Sequence, residues 1–415
     1  MPPAVTVKLT KICQQFNRPR LNNLDAHLQT QFNDMHATIR PGAQIAIAAG
    51  SRGITDIAQV IKSTVDFITS QQACPFIIPA MGSHGGATAQ GQKEILASLG
   101  ITQQSMGAPI RSSMETIELP SVEGVDHIYM DRHAYESDGV IVVNRIKPHT
   151  DYHGPFESGL VKMTVIGLGK HRQALEMHRL GVYGLKEIVP KVAKVIFQSG
   201  KVIAGVGIVE NAYHDTMALS VMRGDQIMAQ EHALLEMATE NMPRLPVNKI
   251  DVLIIDRMGK NISGVSMDSN IIGRIRIRGE QDPENPQIKS IVVCDITEES
   301  HGNAVGMGLA DVMTKRLYKK IDFDATYENA RTSTFLERIK VPYVADTDRT
   351  ALEVALRASN VQPNAARIIR IRDTLCLDEV YVSDPILSEL SGQNATERIG
   401  EATEPFDDKH ELVPF

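Results

Sequence analysis

The sequence predicts an α/β protein: two α/β domains with mainly parallel sheets and an active-site cleft between them. Three observations carry this. Short apolar runs recur between longer segments of helical spacing. Glycine-bearing turns follow several of those runs, and a proline-bearing break near the middle precedes a fresh apolar run.

In chain order, AQIAIAAG (43–50) reads as a buried strand and TDIAQVIKSTVDFI (55–68) as a helix. CPFIIPA (74–80) is a second strand, followed by a glycine-rich turn and a helix, GQKEILASLG (91–100), that stops at a glycine. GVIVVN (139–144) and KVIAGVGIVE (201–210) are further strands, and EHALLEMATENM (231–242) is a helix. MPRLPVNK (242–249) carries two prolines and gives way to the strand IDVLIID (250–256). Beyond it lie the strand SIVVCDIT (290–297), an expected glycine-bearing helix GNAVGMGLADVMTKRL (302–317) and the helix TALEVALRA (350–358). The expected division is residues 1–245, carrying the catalytic and cofactor-binding residues, and 246–390, a second α/β domain. An acidic tail, 391–415, either packs back in part or stays loose.

Composition narrows the function classes. The chain has 415 residues, 42% hydrophobic and 22% charged, enough to bury a sizeable core without staples. A net charge of −7 with no basic run argues against nucleic acid as a partner. Cys13, Cys74, Cys294 and Cys376 are scattered without a CxxC pair, which fits a reducing cytosol rather than a disulfide framework. No stretch reaches the ~18 apolar residues of a membrane span, and the N-terminal segment lacks a signal-peptide core. The expectation is a cytoplasmic protein with a small-molecule substrate and no membrane partner; a homo-oligomer stays open.

Three loops follow predicted strands, where ligands of open α/β sheets gather. In AAGSRGITD (48–56), Ser51 and Arg52 lie between glycines, and an arginine there could clamp a carboxylate. From that segment alone a solvated arginine is the better account. In AMGSHGGATAQG (80–91), Gly82, Gly85, Gly86 and Gly91 allow tight turns and bring N–H groups against an anion at a helix N-terminus. The loop is neither a P-loop nor a dinucleotide fingerprint. His84, flanked by Ser83 and Gly85, has no bulky neighbours to pack on, which favours a functional over a structural histidine.

The third loop, NRIKPHTDYHGPFESGLVKMTVIGLGKHRQALEMH (144–178), holds four of the thirteen histidines: His149, His153, His171 and His178. Lys162 lies in the apolar stretch LVKMTVIGLG, where a desolvated lysine can act as a nucleophile or carry a covalent group. His171 and His178, seven apart, share a helix face, and imidazole is a good ligand for nickel or zinc. A surface lysine and exposed helix histidines are the bland alternative; their concentration beside a glycine loop makes chance the poorer account. GVGIVEN (205–211) and GMG (306–308) read as close-packing motifs, and His214 with Asp215 as a solvated turn.

Together SRG (51–53), MGSHGGAT (81–88) and HTDYHGPFESGLVKM (149–163) through His178 resemble the nickel-pincer nucleotide-dependent lactate racemase family. That resemblance implies a bound pyridinium-3,5-bisthiocarboxylic acid mononucleotide nickel and inversion of a hydroxyl-bearing carbon in a small 2-hydroxy acid. Carried over residue by residue, Lys162 after Ser158 and Gly159 matches the cofactor-linked lysine, and His178 the nickel-binding histidine. His84 matches one acid–base histidine. His149 is the better match for the second, with His153 as its rival. Arg52 matches an arginine that engages the substrate carboxylate or the phosphate region. Gly82, Ser83, Gly85 and Ser51 fall in the cofactor-binding loops. The sequence departs from the family at Ala49, where the family has aspartate, and in having no tryptophan. The family's Gln…Lys substrate pair is not evident, and Asn270 and Arg274 stand as substitutes. These departures point to a 2-hydroxy acid other than lactate. The rival readings are a metal-dependent hydrolase using the histidine cluster directly and a non-catalytic carrier of the same fold.

Overall fold

The computed structural model describes residues 6–34, 39–50, 53–392 and 395–415. In chain order its strands are β1 (Thr10–Gln14), β2 (Gln44–Ala49), β3 (Cys74–Pro79), β4 (Thr116–Leu119), β5 (Ile128–Asp131), β6 (Gly139–Arg145), β7 (Val202–Glu210) and β8 (Thr216–Arg223). Then follow β9 (Lys249–Ile255), β10 (Gln287–Val293), β11 (Val312–Thr314), β12 (Tyr343–Ala345), β13 (Ile368–Ile371), β14 (Glu379–Val382) and β15 (Thr396–Arg398). The main helices are α1 (Leu24–Asp34), α2 (Ile57–Ser70), α3 (Ala89–Ser98), α4 (Lys170–Arg179), α5 (Val189–Gln198), α6 (Ile227–Glu240) and α7 (Asp348–Ala358).

The chain divides into two compact units: Asn17–Met242, and Pro243–Phe415 together with the segment ending at Phe16. In the first unit a five-stranded sheet runs β3-β2-β6-β7-β8, parallel except for the antiparallel edge strand β8. Both faces are covered, which is why its strands read as unbroken apolar runs rather than as alternation. The pleat sends successive residues to opposite faces. Ile45 and Ile47 join Leu28 and Phe32 of α1 and Val60, Ile61 and Val65 of α2. Ala46 and Ala48 join Val161, Val189, Val192 and Ile196 on the other side. Phe32 stacks on Phe67 with ring centroids 4.3 Å apart. The helix α2 forms because Ile57, Val60, Ile61, Thr64, Val65 and Ile68 fall on one buried face.

In the second unit an eight-stranded sheet has the order β12-β11-β10-β9-β13-β14-β1-β15. The strands from β12 to β13 are parallel, and β14, β1 and β15 extend the sheet antiparallel. The fold class is therefore α/β with mainly parallel sheets, as the alternation of runs predicts. The two ends of the chain meet in this sheet. Strand β1 pairs with β14 and β15 and so belongs to the second sheet. The tail packs back through β15 and a Leu9–Thr403 bridge, with Phe406 buried.

The expected helix over 302–317 is instead a short turn at Met307–Leu309, the buried strand β11 and a short helix, Lys315–Lys319. Gly302 and Gly306 hold φ of +74° and +108°, which no helix accommodates. The apolar residues after them fill a parallel strand. Among the described residues no helix is long and apolar enough to cross a membrane.

Candidate active site

Three strand ends of the first unit build the site. After β2 comes Gly50, where a Cβ would stand 2.5 Å from Asn144 Oδ1. A side chain there would evict Asn144, whose Nδ2 donates to the Gly159 carbonyl at 3.1 Å. The expected cofactor and carboxylate residues Ser51 and Arg52 lie outside the described residues.

After β3 the glycine loop turns through left-handed conformations at Gly82, Gly85 and Gly86. Gly85 and Gly91 touch backbone to backbone: a Cβ on Gly91 would come within 2.1 Å of Gly85 O. Thr88 caps α3 by accepting the Gly91 N–H at 3.0 Å. Buried Gln92 holds the loop from inside, donating to the carbonyls of Gly82 at 2.9 Å and His84 at 3.3 Å. Behind it Lys170, fully buried, pairs with Asp131 at 2.9 Å and donates to Pro79 O. Burial lowers the Lys170 ammonium's pKa, and the Asp131 carboxylate opposes that fall. Lys170 begins the helix that carries His178, so one buried cation ties the His84 loop, β5 and α4 together.

After β6, Lys147 and Ser158 exchange backbone hydrogen bonds of 2.9 and 3.2 Å and close the loop between them. Buried Glu157 organises that loop. It accepts the backbone N–H of His149 at 2.6 Å and of Gly154 at 3.1 Å, and its carboxylate lies 3.2 Å from His153 Nδ1. His149 is buried, stacks on Tyr152 at 4.6 Å and meets Lys162 Nζ with its Nε2. His153 is half-exposed and turned to Glu157. The ring that reaches Lys162 is thus His149.

Lys162 rides on a short helix, Leu160–Lys162, continued by a wider π turn at Met163–Gly167. Its start is capped by Glu231 of α6, which accepts the Val161 N–H at 2.9 Å. A Cβ on Gly159 would lie 2.2 Å from Glu231 Oε1, so only glycine admits this carboxylate. Burial pushes the Glu231 carboxyl up to about 7, against the pull of the backbone N–H groups it accepts from. His178 on α4 is held down to about 4, chiefly by burial and then by the nearby Lys162 charge, with Asp151 opposing. Its Nδ1 is buried with no hydrogen-bond partner among the described residues. It is a neutral imidazole with a lone pair to give.

These elements enclose a pocket of about 230 Å³. Of the sequence-predicted residues, Gly82, Ser83, His84, Ser158, Gly159, Lys162 and His178 line it, together with Arg145 and Lys147. Gly85 packs on Gly91 instead, and His149 and His153 stand behind the lining. Among the described residues no aspartate or glutamate lines it. His171, also singled out, has a buried Nδ1 with no hydrogen-bond partner among the described residues but does not line the pocket. Arg145 is anchored by Glu210 at 2.5 Å.

In the second unit Arg274 is committed to the Leu309 and Ile288 carbonyls and to Asp311 at 2.7 Å, and Asn270 donates to Asp268. Arg274 is thereby held within its own unit. Among the described residues no three His, Cys, Asp or Glu side chains gather as a metal site.

No known family profile matches this sequence, and no curated protein matches it. Solved structures do. The lactate racemase apoprotein from Thermoanaerobacterium thermosaccharolyticum matches with a TM-score of 0.55 at 13% identity, over 88% of this chain and 94% of that one. A protein from Thermotoga maritima matches with a TM-score of 0.52 at 13% identity, over 84% and 92%. The chain therefore has a lactate racemase-like fold.

Proposed function

We propose that this protein is a racemase or epimerase of a small 2-hydroxy acid other than lactate, working with a nickel-pincer nucleotide. The observation that carries the reading is the convergence of His84, Lys162 and His178 on one pocket at the strand ends of a lactate racemase-like fold. The residues fit the group. Lys162 supplies an amine that would bond one of the nucleotide's thiocarboxyl arms as a thioamide. His178 supplies a neutral nitrogen, unprotonated above about pH 4, that would ligate the metal. A metal with a single protein ligand takes its other donors from outside the chain, and an organic cofactor can supply them. The hydrolase reading needs three protein ligands and lacks them among the described residues.

When bound, the cofactor supplies a reversible hydride acceptor. The chain's own residues do the rest. Arg145, held by Glu210, and Lys147 line the pocket and are the groups placed to meet the substrate carboxylate. His84, fixed by Gln92 beneath its carbonyl, takes and returns the hydroxyl proton on one face. His149, one layer behind the lining and in contact with Lys162, is the group we assign to the other face, its ring held by its stack on Tyr152.

The test uses protein made alongside the cofactor pathway and a panel of 2-hydroxy acids deuterated at C2, followed by chiral chromatography. Scrambling of one acid with its deuterium retained supports hydride return. Loss of deuterium to water, or no scrambling of any acid by nickel-loaded protein, refutes it.

A further inference from the structure

We propose that Arg145 reads the carboxylate of the ligand through the Nε–Nη2 edge of its guanidinium, and that Glu210, outside the pocket lining, is the residue that positions it. The proposal rests on the racemase reading only in placing a small carboxylic acid in this pocket.

Arg145 is the last residue of β6, the middle strand of the five-stranded sheet. Its partner across the parallel pair with β7 is Ile208, so Glu210, two residues on, falls on the same face of the sheet. The register of β7 against β8 shifts between Val209 and Glu210. Irregularities of this kind re-aim a side chain beside a site.

Glu210 divides its two oxygens. Oε2 accepts Arg145 Nη1 at 2.5 Å, and Oε1 accepts the backbone N–H of Thr55 at 2.8 Å. Its side chain is 7% exposed and that of Arg145 17%, so the pair is largely withdrawn from water. Thr55 is the neighbour of Ile54, which lines the pocket. One carboxylate therefore fixes the arginine and the backbone beside the opposite wall.

With Nη1 given to Glu210, Nε and Nη2 of Arg145 have no hydrogen-bond partner among the described residues. Those two nitrogens form the side-on edge of a guanidinium, which takes a planar carboxylate through two parallel bonds. Arg145 lines the pocket, and no aspartate or glutamate among the described residues lines it to compete for that edge. Lys147 and Lys162 line the pocket too, but an ammonium on a flexible stem has no fork to match a carboxylate plane. Ile54, Met81, Met163 and Ile166 give the hydrocarbon part of a ligand an apolar wall.

Charge counting and positioning make opposite predictions for Glu210. Its carboxylate offsets the guanidinium charge, so by charge alone its removal should tighten anion binding. A guanidinium released from it must be ordered again when the ligand binds, and that entropy weakens binding. Positioning is the larger effect here because the fork, and not the charge alone, makes the two bonds.

The experiment titrates full-length protein, from a host without the cofactor pathway, with glycolate. Its hydroxyl-bearing carbon is not stereogenic, so nothing in the titration depends on racemisation. Calorimetry on the wild type should show glycolate binding at least roughly 10-fold more tightly than glycolamide, its uncharged amide, the scale of one charged hydrogen bond. Inorganic phosphate should bind more weakly than glycolate. With ¹⁵N-arginine labelling, the Nε–H signal absent from Arg145→Lys should move with glycolate and stay in place with glycolamide. Arg145→Lys keeps the charge and loses the fork, and should weaken glycolate by roughly 10-fold. Glu210→Gln should weaken it by a similar factor, although the pocket gains a positive charge. Glycolate bound no better than glycolamide or phosphate, an Arg145 Nε–H signal that does not move, or tighter binding in Glu210→Gln would each overturn the proposal. Racemisation by cofactor-loaded protein is a separate measurement, and either result can fail while the other stands.

Discussion

Glu231 offers the sharpest test of how the site is held. Its carboxyl is raised from 4.5 to about 7, with burial as the first cause and the backbone N–H bonds opposing. Between those values the folded chain binds a proton that the unfolded chain does not. The stabilisation is therefore fully present below about pH 4.5 and is lost as the pH rises through 7. At about 1.36 kcal/mol per unit, the ionised carboxylate costs the folded state about 3 kcal/mol by pH 8. Glu231→Gln keeps an oxygen for the Val161 N–H and cannot ionise. It should match the wild type near pH 4.5 and exceed it by about 3 kcal/mol at pH 8. Urea unfolding from pH 4.5 to 8.5, followed by circular dichroism because the chain has no tryptophan, measures this. Hydrogen exchange at the Val161 amide localises the effect. A Glu231→Gln variant less stable than wild type at pH 8 would show that the carboxylate is needed charged, and an offset equal at every pH would show that its titration is not coupled to folding.

Three further outcomes follow from the same geometry. Lys170→Met leaves Asp131 buried without its partner and should cost about 3–5 kcal/mol in urea unfolding, most of it recovered when Asp131→Leu is added. The His178 ring should stay neutral to about pH 4 by NMR; its lowered pKa gives stability that is complete above the unfolded value of 6.5 and is lost as the pH falls toward 4. In cofactor-loaded protein, His84→Ala and His149→Ala should each lower turnover by roughly 10²–10⁴-fold with the chromophore intact, while His153→Ala should have little effect, which chiral assay decides.

The fold was legible because parallel strands buried on both faces write themselves as unbroken apolar runs. β2, β3, β6, β7 and β9 all do so. His84 and Lys162 stood out because each occupies a string where its residue type is unusual, and His178 because histidines crowd that segment at helical spacing. The residues that hold them were not legible. Glu231 lies 70 residues beyond Val161, in a stretch that reads as an ordinary amphipathic helix. Gln92 and Lys170 look like the polar faces of α3 and α4, yet neither is exposed. Asp131 looks like the end of a solvent-facing ribbon. Tertiary contacts over long separations, invisible to periodicity, bury these groups. The choice between His149 and His153 was hidden by Pro148 and Pro155, which leave the intervening backbone unpredictable from pattern. In the structure Glu157 takes the backbone of one and the ring of the other, and the ring that meets Lys162 is that of His149.

The pairing of β1 with β14 has a consequence for how the chain is made. Ile12 opposes Val380, so β1 must wait during synthesis for a partner hundreds of residues behind it. At about 5–20 residues per second that wait is on the order of 20 to 70 s. The whole of Asn17–Met242 emerges in between and can complete its own sheet meanwhile. β15 pairs in the sheet through β1, by way of Ile12, Cys13 and Gln14. β15 is thus docked on β1, and this part of the sheet forms only when both are present. A truncation before Gln14 would strand β15 and bare the edge of β14, with aggregation through that edge as the outcome.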